Sequence, residues 1–134
     1  MSEGINMKQL EEMTMKELYE LARKYDIARY TAMRKQDLIF EILEAKAKSE
    51  GYFFGEGVLE IAPDGYGFLR SLETMLSGPK DIYLSQSQIR KFNLNTGDII
   101  SGVIRPPKEG ERFNAMIKIE AINYKSPELA DERV

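Results

Sequence analysis

Two short stretches set aromatic and charged side chains at a spacing that can do chemistry. Residues 64–70 read DGYGFLR, and residues 81–85 read DIYLS. In an extended strand, alternate side chains share a face. Tyr66, Phe68 and Arg70 therefore point one way, and Gly65, Gly67 and Leu69 the other. In the second stretch Tyr83 shares its face with Asp81, while Ile82 and Leu84 point to the opposite side. Rings flanked by a guanidinium and a carboxylate can form a stacking platform with polar edges. The competing reading is core packing, but a dry core does not accept Arg70 and Asp81 unpaired. A glycine inside a strand, as at Gly67, marks a bend or a close backbone approach.

The residue types that are missing narrow the chemistry further. The 134 residues contain no cysteine and no histidine. That removes zinc fingers, Cys and His nucleophiles, and the usual general base. It also removes any disulfide framework, which fits a reducing compartment. No phosphate-binding G-x-x-x-x-G-K-[ST] loop occurs, so the chain itself is expected to catalyse nothing. The amino terminus is polar and acidic, unlike a signal peptide. No apolar run exceeds three residues, which is far short of a membrane span. The net charge is −3, and residues 51–127 carry nine basic and nine acidic side chains. Any polyanion site is then a local patch and not a basic surface.

The elements that must position these residues fall into two parts. The first fifty residues read as helices. Thr14-Met-Lys-Glu17 is a capping box, followed by Leu18, Leu21, Ala22 and Tyr25 at helical spacing. Residues 26–33 read as a loop, and Leu38, Ile39, Ile42 and Leu43 form a second apolar stripe after Arg34-Lys35. A further short helix is expected over Met7 to Glu12. From Gly51 the helical period stops and glycines gather. Short strands are predicted near 56–61, 66–72, 80–84, 98–105 and 112–122. Ser85-Gln-Ser-Gln88 is a second capping box, opening a short helix between the third and fourth strands. The expectation is an α+β chain, with a small helical subdomain packed on a five-stranded OB-fold, cold-shock-like barrel. That fold class binds single-stranded nucleic acid on the face of its second and third strands.

DGYGFLR, GPKDIYLSQSQIRKFNLNTGD (78–98) and SGVIRPPKEGER (101–112) together resemble the N-terminal RNA-binding domain of bacterial transcription termination factor Rho. MRKQDLIFEIL (33–43) resembles the leading helical subdomain of the same family. The resemblance covers Met7 to Pro127 and implies three divisions: 1–50 helical, 51–127 RNA-binding barrel, and 128–134 the start of a linker to an ATPase domain. It implies a primary site for single-stranded, cytosine-rich RNA in Rho-dependent termination, in the cytoplasm and with no membrane partner. No cofactor is expected for this stretch. ATP and Mg²⁺ would serve only the motor domain of a homohexameric RNA translocase. Two positions depart from the family pattern. Tyr66 stands where phenylalanine is common, and Phe113 where tyrosine is common, which removes a hydroxyl donor.

The site residues implied are Gly65, Tyr66, Gly67, Phe68, Leu69 and Arg70; Asp81, Ile82 and Tyr83; and Glu111, Arg112 and Phe113. Tyr66, Phe68, Tyr83 and Phe113 offer stacking area, each stacked base contributing about 1–3 kcal/mol. A carboxylate such as Asp81 or Glu111 can accept from cytosine N4 but opposes the carbonyl of uracil. Arg70 can donate to cytosine N3 or O2, or it can form an ordinary surface ion pair with Asp81. Lys80, Arg105 and Lys108 are candidate phosphate contacts, with Arg90, Lys91 and Arg112 beside them. Two alternatives share the architecture: a cold-shock-like chaperone of single-stranded nucleic acid, and a protein–protein adaptor using the barrel face. The helical extension and PPKEGER weigh against the first.

Overall fold

The computed structural model describes residues 5–70 and 81–130. Two compact units divide at Gly51 and Tyr52. In the first, α1 (Met7–Glu11), α2 (Met15–Lys24) and α3 (Lys35–Ser49) follow one another, with α1 and α2 both contacting α3. The capping box at Thr14 forms: Glu17 N–H donates to the Thr14 hydroxyl oxygen at 3.1 Å, and Thr14 N–H donates to the Glu17 carboxylate at 2.8 Å. Leu18, Ala22, Leu38, Ile39, Ile42 and Leu43 are all buried, as their helical spacing requires. Within the expected loop, a short 3-10 turn runs over Tyr30–Ala32. The basic pair divides its work, because Lys35 Nζ donates to the Glu11 carbonyl at 2.9 Å and so ties the end of α1 to the start of α3.

The second unit is a closed barrel of five strands: β1 (Phe53–Ile61), β2 (Gly67–Arg70), β3 (Ile82–Leu84), β4 (Ile99–Arg105) and β5 (Asn114–Ile122). Their order around the barrel is β1-β2-β3-β5-β4, closing back on β1. All neighbours run antiparallel except β3 and β5, which pair in parallel at only two positions. Helix α4 (Gln86–Lys91) lies between β3 and β4 in the chain. Its capping box also forms, through Ser85 and Gln88. Gln88 then donates from Nε2 to the Met116 carbonyl at 3.0 Å, anchoring the helix to β5. Pro127–Ala130 form a last helical turn, α5.

Several element ends differ from the sequence expectation. β1 begins at Phe53, earlier than residue 56, and runs straight through Gly55 and Gly57. Gly57 thus falls inside the strand as expected, and Gly55 joins it there. A Cβ on Gly57 would lie 2.6 Å from the Arg70 carbonyl oxygen and 2.9 Å from Leu69 Cβ, so β1 and β2 pass too closely there for a side chain. β3 is shorter than expected, and Asp81 precedes it. β5 starts at Asn114, which leaves Phe113 just outside the strand. The expected continuation of β2 through 71–72, and Lys80, lie outside the described residues.

The barrel interior holds Leu59, Leu69, Leu84, Ile100, Ile104, Met116, Ile119 and Ile122, with Ile82 packed against them. Burying each such side chain contributes roughly 1.5–3 kcal/mol. Gly57→Ala should therefore destabilise the barrel by about 1–3 kcal/mol through overpacking against rigid atoms. Urea unfolding followed by tyrosine fluorescence measures this, and wild-type stability would show that the β1–β2 approach is looser than the structure gives.

Candidate nucleic-acid interface

The register of the strands assembles the site. Glu60 pairs with Phe68, Phe68 with Tyr83, Tyr83 with Ala115, and Ala115 with Arg105. Residues paired across strands project to the same side of a sheet. These five therefore form one row around the outside of the barrel, drawn from all five strands. The inward set is complementary, with Leu69 and Leu84 buried at 1% and 0% exposure. Gly67 is buried on the same inner side, and Ile82 is half-buried.

Phe68 sits at the centre of an aromatic cluster. Its ring centroid lies 5.8 Å from Tyr66, 6.0 Å from Tyr83 and 4.9 Å from Phe113, each in an edge-to-face arrangement. Tyr66 and Tyr83 are 5.9 Å apart with their planes inclined at 34°. Contacts at these distances add about 0.5–1.5 kcal/mol each beyond area burial. They also hold the rings in place before any ligand arrives. Tyr83 is the most open of the four, at 38% exposure, whereas Tyr66, Phe68 and Phe113 are half-buried. The tight loop before β2 delivers Tyr66: Ala62 N–H donates to the Tyr66 carbonyl at 2.8 Å, and Gly65 N–H to the Ala62 carbonyl at 2.9 Å. Gly65 adopts φ +97°, a conformation that favours glycine.

Beside Tyr83 the surface opens into a cleft of about 450 Å³ lined by Tyr83, Arg105, Glu111, Arg112, Phe113 and Ala115. That volume falls in the range of about 300–1,000 Å³ typical of small-ligand sites. The Arg112 guanidinium lies 5.8 Å from the centre of the Phe113 ring. Arg105 and Glu111 form a bidentate pair, with Nη1 to Oε1 at 2.7 Å and Nη2 to Oε2 at 3.2 Å. Lys108 N–H donates to the same Oε1 at 2.7 Å. The Arg105 fork, and then the Lys108 amide, hold the Glu111 carboxyl down to about 2. The guanidinium of Arg105 is raised in return.

The charged residues do not all stand where the sequence put them. Asp81 was expected on the open face beside Tyr83, but it is buried at 8% exposure. Strand alternation says which way a side chain faces, but not what covers it. The partner of Arg70 is Glu60, with Nη2 to Oε1 at 3.0 Å, and not Asp81. Arg70 Nε is buried and has no hydrogen-bond partner among the described residues. Arg105, a candidate phosphate contact, pairs with Glu111, and Lys108 offers its backbone to the same carboxylate. Arg90 and Lys91 close α4 and stay exposed. Sequence reasoning missed two contributors. Glu60 could be found only from the β1–β2 register, whereas Ala115 was signalled by its position two residues after Phe113.

A 13C titration of the Glu111 carboxyl should show it ionised throughout the ordinary carboxylate range near 4.5, with a midpoint at about 2. Because its folded-state value is depressed, the pairing stabilises the loop above the ordinary value and is lost as pH falls through the depressed one. Replacing Arg105 with Gln should return the midpoint toward 4.5. A wild-type midpoint already at the ordinary value would mean that the fork does not persist in solution.

Two family profiles match the chain: the Rho termination factor N-terminal domain over residues 9–51, and the Rho termination factor RNA-binding domain over residues 55–128. The transcription termination factor Rho of Thermotoga maritima is 64% identical over 131 residues, covering 97% of this chain and 31% of that protein. Those of Buchnera aphidicola subsp. Schizaphis graminum and Escherichia coli K12 are 53% and 50% identical, with the same two coverages. The chain thus spans about a third of the length of the curated relatives it matches.

Proposed function

From the premise that this chain belongs to the Rho termination factor family, we propose that it binds single-stranded, cytosine-rich RNA as the primary transcript-engaging site in Rho-dependent transcription termination. The observation that carries this reading is the cleft in which two aromatic rings, Tyr83 and Phe113, stand beside a carboxylate held ionised by Arg105. Single-stranded RNA exposes base faces for stacking and Watson–Crick edges for hydrogen bonding, and this cleft offers a partner for each. Stacking supplies affinity for any base. The Glu111 carboxylate accepts from the N4 amino group of cytosine, whereas uracil would present a carbonyl to it. Arg70, which shares its strand face with Phe68, is the candidate donor to the N3 or O2 acceptor of a second base. Asp81, being buried, would act more by fixing its surroundings than as an open acceptor.

Backbone phosphates would meet Arg112, which lines the cleft, with the Lys108 side chain and Lys80 as further candidates. Stacking and direct hydrogen bonds suffice for this recognition, so the reading asks for no cofactor in these 134 residues. The whole protein would be a cytoplasmic homohexamer whose ATP- and Mg²⁺-dependent translocation belongs to a separate motor domain. Among the described residues no helix is long and apolar enough to cross a membrane.

Fluorescence anisotropy with short oligo-C, oligo-U and oligo-A RNAs tests the reading. Oligo-C should bind most tightly, and Tyr83→Ala should weaken it by about 1–3 kcal/mol, the contribution of one stacking platform. Its folding should be nearly intact because the ring is 38% exposed. Equal affinity for the three RNAs, or a Tyr83→Ala variant that binds like wild type, would defeat the proposal.

A further inference from the structure

The hydrogen-bond capacity of Glu111 is more restricted than its exposure suggests. An ionised carboxylate has about four acceptor positions, two on each oxygen. On Oε1, one position takes Arg105 Nη1 at 2.7 Å and the other takes Lys108 N–H at 2.7 Å. On Oε2, Arg105 Nη2 takes one at 3.2 Å. That leaves a single open position, on Oε2, at a carboxylate that lines the cleft beside Phe113. The arrangement is held from several sides. Arg105 Nη1 also donates to the Pro106 carbonyl at 3.1 Å, so both of its hydrogens are used. Glu111 N–H donates to the Lys108 carbonyl at 2.9 Å, which closes a turn reciprocal to the Lys108 amide bond. Arg105 itself ends β4 and is in register with Ala115 beneath the cleft, so the fork is anchored on a strand and not on the loop it steadies.

We infer that Arg105 is a positioning residue for base choice: its fork orients the Glu111 carboxylate so that one lone pair of Oε2 is presented to the exocyclic amino group of a base seated in the cleft. This rests on the base-binding reading above and reassigns Arg105 from phosphate contact to discrimination. The guanidinium fork matches a carboxylate in a way that an ammonium cannot. A phosphate contact, by contrast, needs only a positive charge. The depressed titration of Glu111 agrees with such a fork, since Arg105 is its largest cause. The Pro106–Gly110 loop then serves recognition by keeping Lys108 N–H on Oε1, which prevents the carboxylate from rotating to offer a different atom.

Two substitutions in the full 134-residue chain separate the roles, with oligo-C and oligo-U affinities measured across a salt series. Arg105→Gln should lower the C-to-U ratio about tenfold, the scale of one charge-assisted hydrogen bond misplaced, with the salt slope unchanged. Arg105→Lys should leave the ratio equally low, because charge without the fork does not orient the carboxylate. The inference is overturned if Arg105→Gln makes the log K against log salt slope shallower by about 0.7 at an unchanged ratio, which is the signature of one lost phosphate contact. It is overturned equally if Lys restores wild-type discrimination, or if neither variant changes it. These outcomes presuppose a wild-type preference for oligo-C. Its absence would count against the base-binding reading itself, whereas an intact preference with unaffected variants counts against the role of Arg105 alone.

Discussion

The parallel contact between β3 and β5 is only two residue pairs long, yet the site depends on it. Ile82 pairs with Asn114 and Tyr83 with Ala115, and these pairs close the barrel. Without them Tyr83 and Ala115 would sit on opposite edges of an open sheet. With them the outer row from Glu60 to Arg105 becomes continuous, and Phe113, just before β5, is drawn to within 4.9 Å of Phe68. A short pairing of this kind has little strength of its own. It is supported from the inside by Leu84 and Met116 in the common core, and from the flank by the Gln88 amide bonded to the Met116 carbonyl. The capping box that starts α4 thus contributes to the geometry of the cleft, because the side chain that completes the cap also reaches β5.

Electrostatics play a local part in this design. A chain of net charge −3 has no broad field to draw in a polyanion. Two cationic groups on this face are engaged with acids: Arg70 with Glu60 and Arg105 with Glu111. Such pairs at an exposed surface are worth little in stability. Their value lies in orientation, since a guanidinium fixed by a carboxylate, and a carboxylate fixed by a guanidinium, each present a defined edge. In the proposed reading affinity falls to the aromatic cluster, whose rings brace one another and so would lose little freedom when a base stacks on them.

What was legible in the sequence was local. Both capping boxes join residues three apart, and both formed at the predicted positions. The alternation within GFLR gave the correct faces for Phe68 and Leu69 because a strand's period depends on nothing beyond itself. The five strands and the helix between the third and fourth followed from turn residues and apolar spacing. Illegible were features set by partners far along the chain. Glu60 could not be matched to Arg70 before the β1–β2 register was known. The burial of Asp81 depends on what lies over it. The apolar spacing starts the first strand near 56 and so leaves out Gly55, which lies within β1 opposite Gly102 of β4. The Arg105–Glu111 fork joins residues only six apart, but its form depends on how the PPKEG loop turns.

The account rests on a base occupying the cleft between Tyr83 and Phe113, and intermolecular NOEs observe this directly. With the chain bound to a short isotope-labelled oligo-C, cytosine H5 and H6 should show NOEs to the Tyr83 and Phe113 rings and to the Ala115 methyl group. NOEs confined to other surfaces, with these three side chains silent at saturation, would contradict it.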